Sequence, residues 1–548
     1  MRRIPLLSGA VIMLLLALGC GSEPAPRPNV LLVMLDTVRA DHLSTYGYER
    51  ETSPNLTRLA AGGVRFDHVV STAPWTVPSH ASLMTGQVPA VHGAHHESWV
   101  LSTDAVTLAE RFQKGGWRTA GFSANPFVGR PTRLDQGFDH FQRIRGKGKK
   151  VSAGALDFIA AGPEPWFVFL NYMEAHMPYM AVPRDALRRY SPEEGATLRQ
   201  VALQQQLVKF RYACGLEKPP PETIEQLVAA YDGAIAHLDT LLGELFDALQ
   251  DHHARTLIVV LSDHGELLGE HGRIEHQFSL LEPLLRVPLI LSLPGRIPAG
   301  QVIEAPISLV EVHGMILRIA GLEPGASPGD PLGLRNTPRG DLLAEYYRPG
   351  RVLKRFQKEL PECARRLDRR LTSVQRGSLK LVWSSDGSRW LYDLESDPSE
   401  QRNLAAEHPD LVAELERAID DRHALARRSP ASAVAPILDA EARRAERLLS
   451  ATDKPDKRVN ANVRIAVVLG RDRTDAGPWA LPGHPEARTA SCADDRQRSD
   501  HAGRHPVESP WQPIDAHRRT SLPSRFGSPK LTRACRAARR RPRTPTLR

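Results

Sequence analysis

The sequence has no apolar run long enough to cross a bilayer as a permanent helix, and it has only five cysteines in 548 residues. It also lacks a Walker phosphate-binding loop, a Gly-x-Gly-x-x-Gly fingerprint and a catalytic Ser-His-Asp order. Apart from Cys20, the cysteines are scattered, with no spacing typical of a metal or redox site. An exported chain could form one disulfide from them, but nothing in the spacing requires it.

The positive charge is confined to one end of the chain. The formal net charge is +9, yet residues 451–548 alone hold 21 Lys and Arg against 10 Asp and Glu. The other 450 residues therefore carry about −2. The 451–548 segment shows little periodicity and ends in an arginine cluster, which is typical of a disordered basic tail. We therefore expect no nucleic-acid partner for the folded part.

The N-terminus is typical of a bacterial export signal. Arg2 and Arg3 precede a short apolar run, and small residues precede Cys20. Residues 1–20 resemble a lipoprotein signal, in which Cys20 would be lipidated, and the Pro-rich segment 21–28 would be a tether. The expectation is an exported protein anchored to a bacterial membrane by lipid, in the periplasm or on the cell surface.

Residues 29–325 alternate strand-like and helix-like segments. Uninterrupted apolar runs of strand length occur at 30–35, 166–170, 256–261 and 287–293, and the spacing of leucines predicts a helix over 222–249. This pattern predicts an α/β fold with a mostly parallel central sheet between helices. Residues 326–450 change character: apolar segments flanking Asp386-Gly387 predict a β-hairpin, followed by a helix, in a small β-rich C-terminal subdomain.

Two of the strongest strands end in acidic residues. Asp36 follows the first strand, and Asp263 and His264 follow the strand at 256–261. Ligands bind beyond the carboxyl ends of parallel strands, so these side chains should meet in space. Two carboxylates and an imidazole suit one divalent cation, Mn²⁺, Mg²⁺ or Ca²⁺. Thr76 precedes Pro78 at a predicted helix start, where a hydroxyl near a metal could attack a phosphorus or sulfur centre.

These segments, in this order, resemble the sulfatase family within the alkaline-phosphatase superfamily. The resemblance covers about 29–420 and is carried by Asn29–Leu43, Tyr46–Tyr48, Thr76–Gly86, His92-Gly93, Gly116–Ala120, Leu134–Asp139, His176–Tyr179, Tyr231–Asp239, Ser262–Gly272, Arg286–Leu289, Leu391–Leu394, Asp397–Glu400 and Asn403-Leu404. It implies an alkaline-phosphatase-like fold and an ester hydrolase. It also implies that Asp36, Asp263 and His264, with Thr76, bind the metal.

The resemblance assigns further roles at the same site. Thr76 would be the nucleophile, and His176 would contact the anionic group of the substrate. We also expect His80, Asn125 and His276 to bind substrate, with His276 standing where many members have a lysine. Of the remaining histidines, we expect His95, His96, His252 and His253 to be exposed.

Three departures from the family pattern change the expected chemistry. The usual Cys-x-Pro-x-Arg is Thr76-Val-Pro-Ser-His80, and the second residue of the usual Asp-Asp pair is Thr37. A threonine cannot become formylglycine, so none is expected. Thr76 instead resembles the nucleophile of relatives that form a phosphothreonine, which favours phosphate over sulfate esters.

Two alternatives remain open from the sequence. The first is a transferase that moves a phosphoryl-linked head group within the cell envelope. It is disfavoured because such relatives usually have several membrane helices. The second is an inactive lipoprotein that keeps the fold for binding alone, against which the intact set of Asp36, Asp263 and His264 argues.

Overall fold

The structure is a computed structural model that describes residues 26–144, 148–179, 182–190, 206–323, 340–354 and 356–427. The predicted signal with Cys20, most of the tether and the basic tail lie outside these residues, as do both ends of the predicted C-terminal subdomain. Within the described part of the chain, no helix combines the length and the apolar character that crossing a membrane requires.

Fifteen strands occur in the described residues. They are β1 Asn29–Leu35, β2 Val64–Val70, β3 Arg118–Ser123, β4 His140–Arg143, β5 Trp166–Tyr172, β6 Thr256–Ser262, β7 Leu267–Leu268, β8 Ile274–Glu275, β9 Arg286–Ser292, β10 Gln301–Ile303, β11 Ile307–Ser308, β12 Leu342–Tyr346, β13 Leu371–Arg376, β14 Leu379–Ser384 and β15 Arg389–Asp393.

Fourteen α-helices accompany these strands in the same part of the chain. They are α1 Pro54–Ala61, α2 Thr76–Thr85, α3 Pro89–His92, α4 Leu108–Lys114, α5 Gly148–Ala160, α6 Arg184–Leu187, α7 Gln206–Ala213, α8 Pro221–Ala248, α9 Gln250–His253, α10 Glu282–Leu285, α11 Leu309–Ala320, α12 Gly350–Leu353, α13 Pro361–Leu367 and α14 Pro409–Arg427. Short 3₁₀ turns lie at Ala40–His42, Ser44–Tyr46, Arg130–Thr132 and Glu270–Gly272.

The central sheet has the order β10-β2-β9-β6-β1-β5-β3-β4, with β11 also pairing with β2. The pairs β6–β1, β1–β5, β5–β3 and β3–β4 are parallel, which confirms the predicted fold class. Two apolar clusters cover the two faces of this sheet. All seven residues of β1 are buried, because the strand lies in the middle of the sheet and both its faces are covered.

One central strand runs against the others. β9 is antiparallel to both β6 and β2, although its apolar run is like those of the parallel strands. The segment that connects β6 to β9 contains β7, β8 and α10, but it does not return to the end of the sheet where β6 begins. β9 therefore starts at the edge where β6 ends and returns antiparallel. A strand buried on both faces has the same apolar pattern in either direction, so the sequence alone did not reveal this.

The C-terminal part forms a separate antiparallel sheet with the order β12-β13-β14-β15. β14 and β15 make the predicted hairpin around Asp386-Gly387. Helix α14 packs on this sheet through Val412, Leu415 and Ile419. Cys214, just after α7, is disulfide-bonded to Cys363 in α13, so one of the scattered cysteine pairs is joined across 149 residues.

Candidate active site

The candidate site lies at one edge of the central sheet, where five strands that run in the same direction end. Asp36 follows β1, Thr76 starts the helix after β2, Asn125 follows β3, His176 follows β5, and Asp263 follows β6. This is the carboxyl edge, where open α/β sheets bind ligands. The direction of the strands alone therefore brings Asp36, Asp263 and His264 close together, as the sequence predicted.

Asp36, Asp263 and His264 converge on one point. Each offers one ligand atom, these atoms lie within 4.8 Å of one another, and all three residues are buried. Asp36 Oδ1 and His264 Nε2 have no hydrogen-bond partner among the described residues. Asp263 Oδ2 accepts no hydrogen bond there either, and its contact with His80 Nδ1 is looser, at 3.3 Å. Buried acceptors left unpaired are costly, so their convergence fits a divalent cation.

The second oxygen of Asp36 is held in place by two amides. Asn125 Nδ2 donates to Asp36 Oδ2 at 2.6 Å, and Asn171 Nδ2 lies 3.4 Å from the same oxygen. Both asparagines are buried, and both belong to segments at the carboxyl edge. These contacts fix the rotation of the carboxylate, so that Oδ1 faces the other two ligand atoms.

The backbone orients the other two ligands. The N–H groups of Thr37 and His264 donate to Asp263 Oδ1, at 3.2 and 2.9 Å. His264 Nδ1 donates to the carbonyl of Gly265 at 2.9 Å, which leaves the lone pair of a neutral ring on Nε2. Burial lowers the pKa of His264, which favours that neutral form despite the charge of Asp263. Both residues thus present an unpaired atom toward the same point.

Thr37 occupies the position where the family usually has a second acidic residue. Its backbone has φ of 62°, in the left-handed region that a β-branched residue rarely adopts. Tyr231 Oη donates to its carbonyl at 2.6 Å, and its own hydroxyl donates to the carbonyl of Asp36 at 2.7 Å. The hydroxyl is therefore engaged with the backbone. Thr37 contributes to the site through its N–H.

Thr76 is the first residue of α2 and is 3 % exposed. Asn125 Nδ2 lies 3.3 Å from Thr76 Oγ1 and also contacts Asp36. One amide therefore links the Thr76 hydroxyl to the cluster of Asp36, Asp263 and His264, which we call the ligand group. His80 lies one turn further along the helix with no exposed surface. Its Nδ1 donates to the carbonyl of Thr76 at 3.0 Å.

Three imidazole rings stand side by side at the site. The ring centroids of His264 and His276 are 4.7 Å apart, and those of His276 and His176 are 5.1 Å apart. His276 Nδ1 donates to Glu266 Oε1 at 3.1 Å. Burial alone would lower the pKa of His276, but the Glu266 carboxylate outweighs it and raises that pKa. The buried Glu266 thereby favours a positive charge on His276 beside the ligand group.

Sequence reasoning missed two residues around this site, and it misjudged the burial of a third residue, His96. Asn171 and Glu266 both lie at or just after strand ends, so the rule that placed Asp36 could have found them. The expectation that His96 is exposed was wrong: it is 2 % exposed, between the rings of Trp75 and Tyr346 at centroid distances of 4.1 and 4.6 Å. Tyr346 belongs to the C-terminal sheet, so no local pattern could have indicated this burial.

A mostly parallel sheet with buried carboxylates and histidines at its carboxyl edge defines an ester hydrolase of the alkaline-phosphatase superfamily. A family model described as Sulfatase matches residues 28–322, more than half of the chain. The chain belongs to the sulfatase family.

Individual relatives agree with this assignment. The chain is 24% identical to a choline-sulfatase of Rhizobium meliloti (strain 1021) over 438 residues, which cover 69% of this chain and 82% of that protein. Its fold matches the phosphonate monoester hydrolase of Agrobacterium radiobacter with a TM-score of 0.59 at 21% identity, over 73% and 96% of the two chains. It also matches a protein solved with its substrate D-glucosamine-2-N,6-O-disulfate, with a TM-score of 0.57 at 20% identity, over 74% and 100%.

Proposed function

We propose that the protein is an exported, lipid-anchored hydrolase of phosphate or sulfate esters that uses Thr76 as its nucleophile, with phosphate esters preferred. The observation that carries this proposal is the position of the Thr76 hydroxyl. It lies at the start of α2, bridged by Asn125 to the group of Asp36, Asp263 and His264. Anchoring through Cys20 rests on the sequence of residues 1–28.

The ligand group would hold one divalent cation, Mn²⁺, Mg²⁺ or Ca²⁺, through Asp36 Oδ1, Asp263 Oδ2 and His264 Nε2. When bound, such a cation supplies positive charge that stabilises anionic oxygens and a deprotonated hydroxyl. The contacts of Asn125, Asn171 and the neighbouring backbone N–H groups hold the ligand side chains in their orientations. They therefore reduce the cost of forming the site when the cation binds.

The residues of the chain have distinct roles in this proposal. Thr76 Oγ1 attacks the phosphorus or sulfur atom in line with the ester oxygen that leaves, and water then hydrolyses the covalent ester. Asn125 donates a hydrogen bond that orients Thr76 Oγ1. His176 and His276 hold the equatorial oxygens, since Glu266 leaves His276 Nε2 free for the substrate.

His80 contributes differently from the initial expectation. It has no exposed surface and contacts the carbonyl of Thr76, so we propose that it positions the nucleophile without touching the substrate. In the family pattern, an arginine at this place orients the nucleophile. In this chain, His80 Nδ1 lies 3.3 Å from Asp263 Oδ2, so the ring can also hold that carboxylate in its orientation.

The threonine side chain accounts for the preference for phosphate esters. Formylglycine releases sulfate by collapse of a hemiacetal. Threonine cannot use this route, because its β-carbon carries a methyl group. A covalent ester on Thr76 must instead be released by water attacking the central atom. That step is the one used by relatives that form phosphothreonine. The phosphonate monoester hydrolase with a similar fold supports phosphorus chemistry in this family.

The test compares Thr76→Ala with Thr85→Ala, because both threonines belong to α2 and only Thr76 reaches the ligand group. Thr85 Oγ1 bonds the carbonyl of Ala81. Both variants are assayed on phosphate monoesters, phosphate diesters and aryl sulfates. We expect Thr76→Ala to lose at least about 10³-fold in kcat/KM on the best substrate. We expect Thr85→Ala to stay within a few fold of wild type. Unchanged turnover by Thr76→Ala would remove Thr76 as the nucleophile.

A further inference from the structure

A cavity away from Thr76 lies between the segment 271–281 and the C-terminal sheet. Its volume is about 120 Å³. The lining combines basic groups with aromatic rings, and none of the described residues that line it is acidic. The lining residues that matter here are His271, Arg273, Phe278, Arg369, Trp390 and Tyr392. We call this cavity the Arg273 pocket.

Arg273 is a cation without a carboxylate partner. Its Nη1 donates to the carbonyl of Phe278 at 3.1 Å, and none of the carboxylates in the described part of the chain forms an ion pair with it. Burial, helped by the charges of Arg369 and Arg366, lowers the pKa of Arg273 to about 10. The charged form of a buried guanidinium close to other guanidinium groups is destabilised unless an anion binds beside it.

Arg369 adds charge to the same cavity. Its Nη1 bonds Asp386 Oδ2 at 2.8 Å, and its guanidinium lies 5.2 Å from the centre of the Trp390 ring. Asp386 balances only one of the two arginines that line the cavity. Among the described residues that line the cavity, Arg273 is therefore left without an ion-pair partner.

We propose that the Arg273 pocket binds a small oxyanion group: a sulfate, a phosphate or a carboxylate. The planar guanidinium of Arg273 offers paired N–H donors to such a group, and the Trp390 and Tyr392 rings would pack against any carbon attached to it. A volume of about 120 Å³ is that of a few water molecules, enough for one oxyanion with a short attached group. This proposal does not depend on the nucleophile at Thr76.

The oxyanion could come from two sources. Arg273 is only three residues before His276, so the segment that lines the pocket also reaches the candidate active site. A second acidic group on the substrate, or a free anion from solution, would meet the same donors.

The test titrates the full chain, supplied with Mn²⁺, with sodium sulfate, sodium phosphate and sodium benzoate by calorimetry. The variant Arg273→Gln is compared with Arg58→Gln, which also removes one arginine charge but from an exposed pair with Asp247 outside the pocket. We expect Arg273→Gln to bind at least one of the three anions ten-fold more weakly or to lose one site. We expect Arg58→Gln to behave as wild type. If Arg273→Gln binds all three anions as wild type does, the proposal is wrong.

Two further measurements complete the design. Melting temperature without added anion establishes that Arg273→Gln is folded, and Arg369→Gln replaces it in the titration if it is not. Turnover of ester substrates with and without a second acidic group then identifies the source. A KM raised at least about five-fold by Arg273→Gln only for the doubly acidic ester indicates a substrate group. Unchanged turnover of both, together with lost anion binding, indicates a free anion.

Discussion

Lys380 is buried between two carboxylates, at the junction of the two sheets. Its side chain is 1 % exposed, and its Nζ lies 2.7 Å from Glu282 Oε1 and 2.9 Å from Glu400 Oε1. Glu282 begins α10 beside the central sheet, whereas Lys380 belongs to β14 in the C-terminal sheet. The backbone N–H of Glu282 also donates to Glu400 Oε2 at 2.7 Å. The two glutamates are therefore joined by a hydrogen bond as well as by Lys380.

Replacing Lys380 by methionine would leave both carboxylates buried without their cation. Removing one partner of a buried ion pair typically costs about 3–5 kcal/mol, because the remaining charge is desolvated and unpaired. We therefore expect Lys380→Met to lower the free energy of unfolding by about 3–5 kcal/mol at pH 7.

The loss should depend on pH. In the wild type, burial would raise the pKa of Glu282, but Lys380 outweighs it and lowers that pKa. The stabilisation from Glu282 is therefore present above its unfolded pKa and is lost as pH falls through the folded value. Without Lys380, burial is opposed on Glu282 only by the smaller effects of the remaining charges, such as His68 and Arg286, so its pKa rises. The carboxyls of the variant then take up protons at a higher pH than those of the wild type, so its deficit should be smaller at pH 5 than at pH 7.

Urea unfolding of the full chain at both pH values measures this. The control is Lys149→Met, because Lys149 is 80% exposed and lies 3.9 Å from Glu244, so its loss should stay within about 1 kcal/mol. Adding Glu282→Gln and Glu400→Gln to Lys380→Met should recover part of the stability. A loss below about 1 kcal/mol at pH 7, or an equal loss at both pH values, would refute the reasoning.

Three other perturbations have defined outcomes. Asp36→Asn should abolish retention of a stoichiometric divalent ion in metal analysis after gel filtration; retention equal to wild type would contradict the proposed ligand set. Gly265→Ala would place a Cβ 2.0 Å from the carbonyl oxygen of Pro283. It should cost about 1–3 kcal/mol in urea unfolding, and an unchanged midpoint would argue against this close approach. Cys214→Ser breaks the bond to Cys363 across 149 residues and should cost up to about 5 kcal/mol. Reductant should then lower the melting temperature of wild type but not of the variant.

Much of the sheet and part of the site follow from local sequence. The apolar runs at β1, β5 and β6 predict buried strands, and their direction then brings Asp36 and Asp263 together without any further assumption. The prediction of one α/β sheet with its site at the carboxyl edge needed only periodicity and strand ends.

The remaining features depend on contacts between distant segments. The burial of His96 needs Tyr346, which is 250 residues away in another sheet. The joining of Cys214 to Cys363 likewise depends on how α7 and α13 pack. The direction of β9 depends on the length and path of a connection, which its apolar pattern does not encode. In each case the sequence pattern is compatible with several arrangements, and tertiary packing selects one.

The folded part of the chain is nearly neutral, so its ability to bind an anion must be local. Asp36 and Asp263 bring negative charge to the site and would repel a sulfate or phosphate unless a cation sat between them and the substrate. Their unpaired oxygens lower the stability of the empty site, and in the function we propose the same atoms would bind a cation. Glu266 would act in a similar way through His276, because its buried carboxylate raises the pKa of that imidazole against the effect of burial. In this proposal, buried acids create positive potential indirectly, by holding a cation on one side of the substrate and a protonated imidazole on the other.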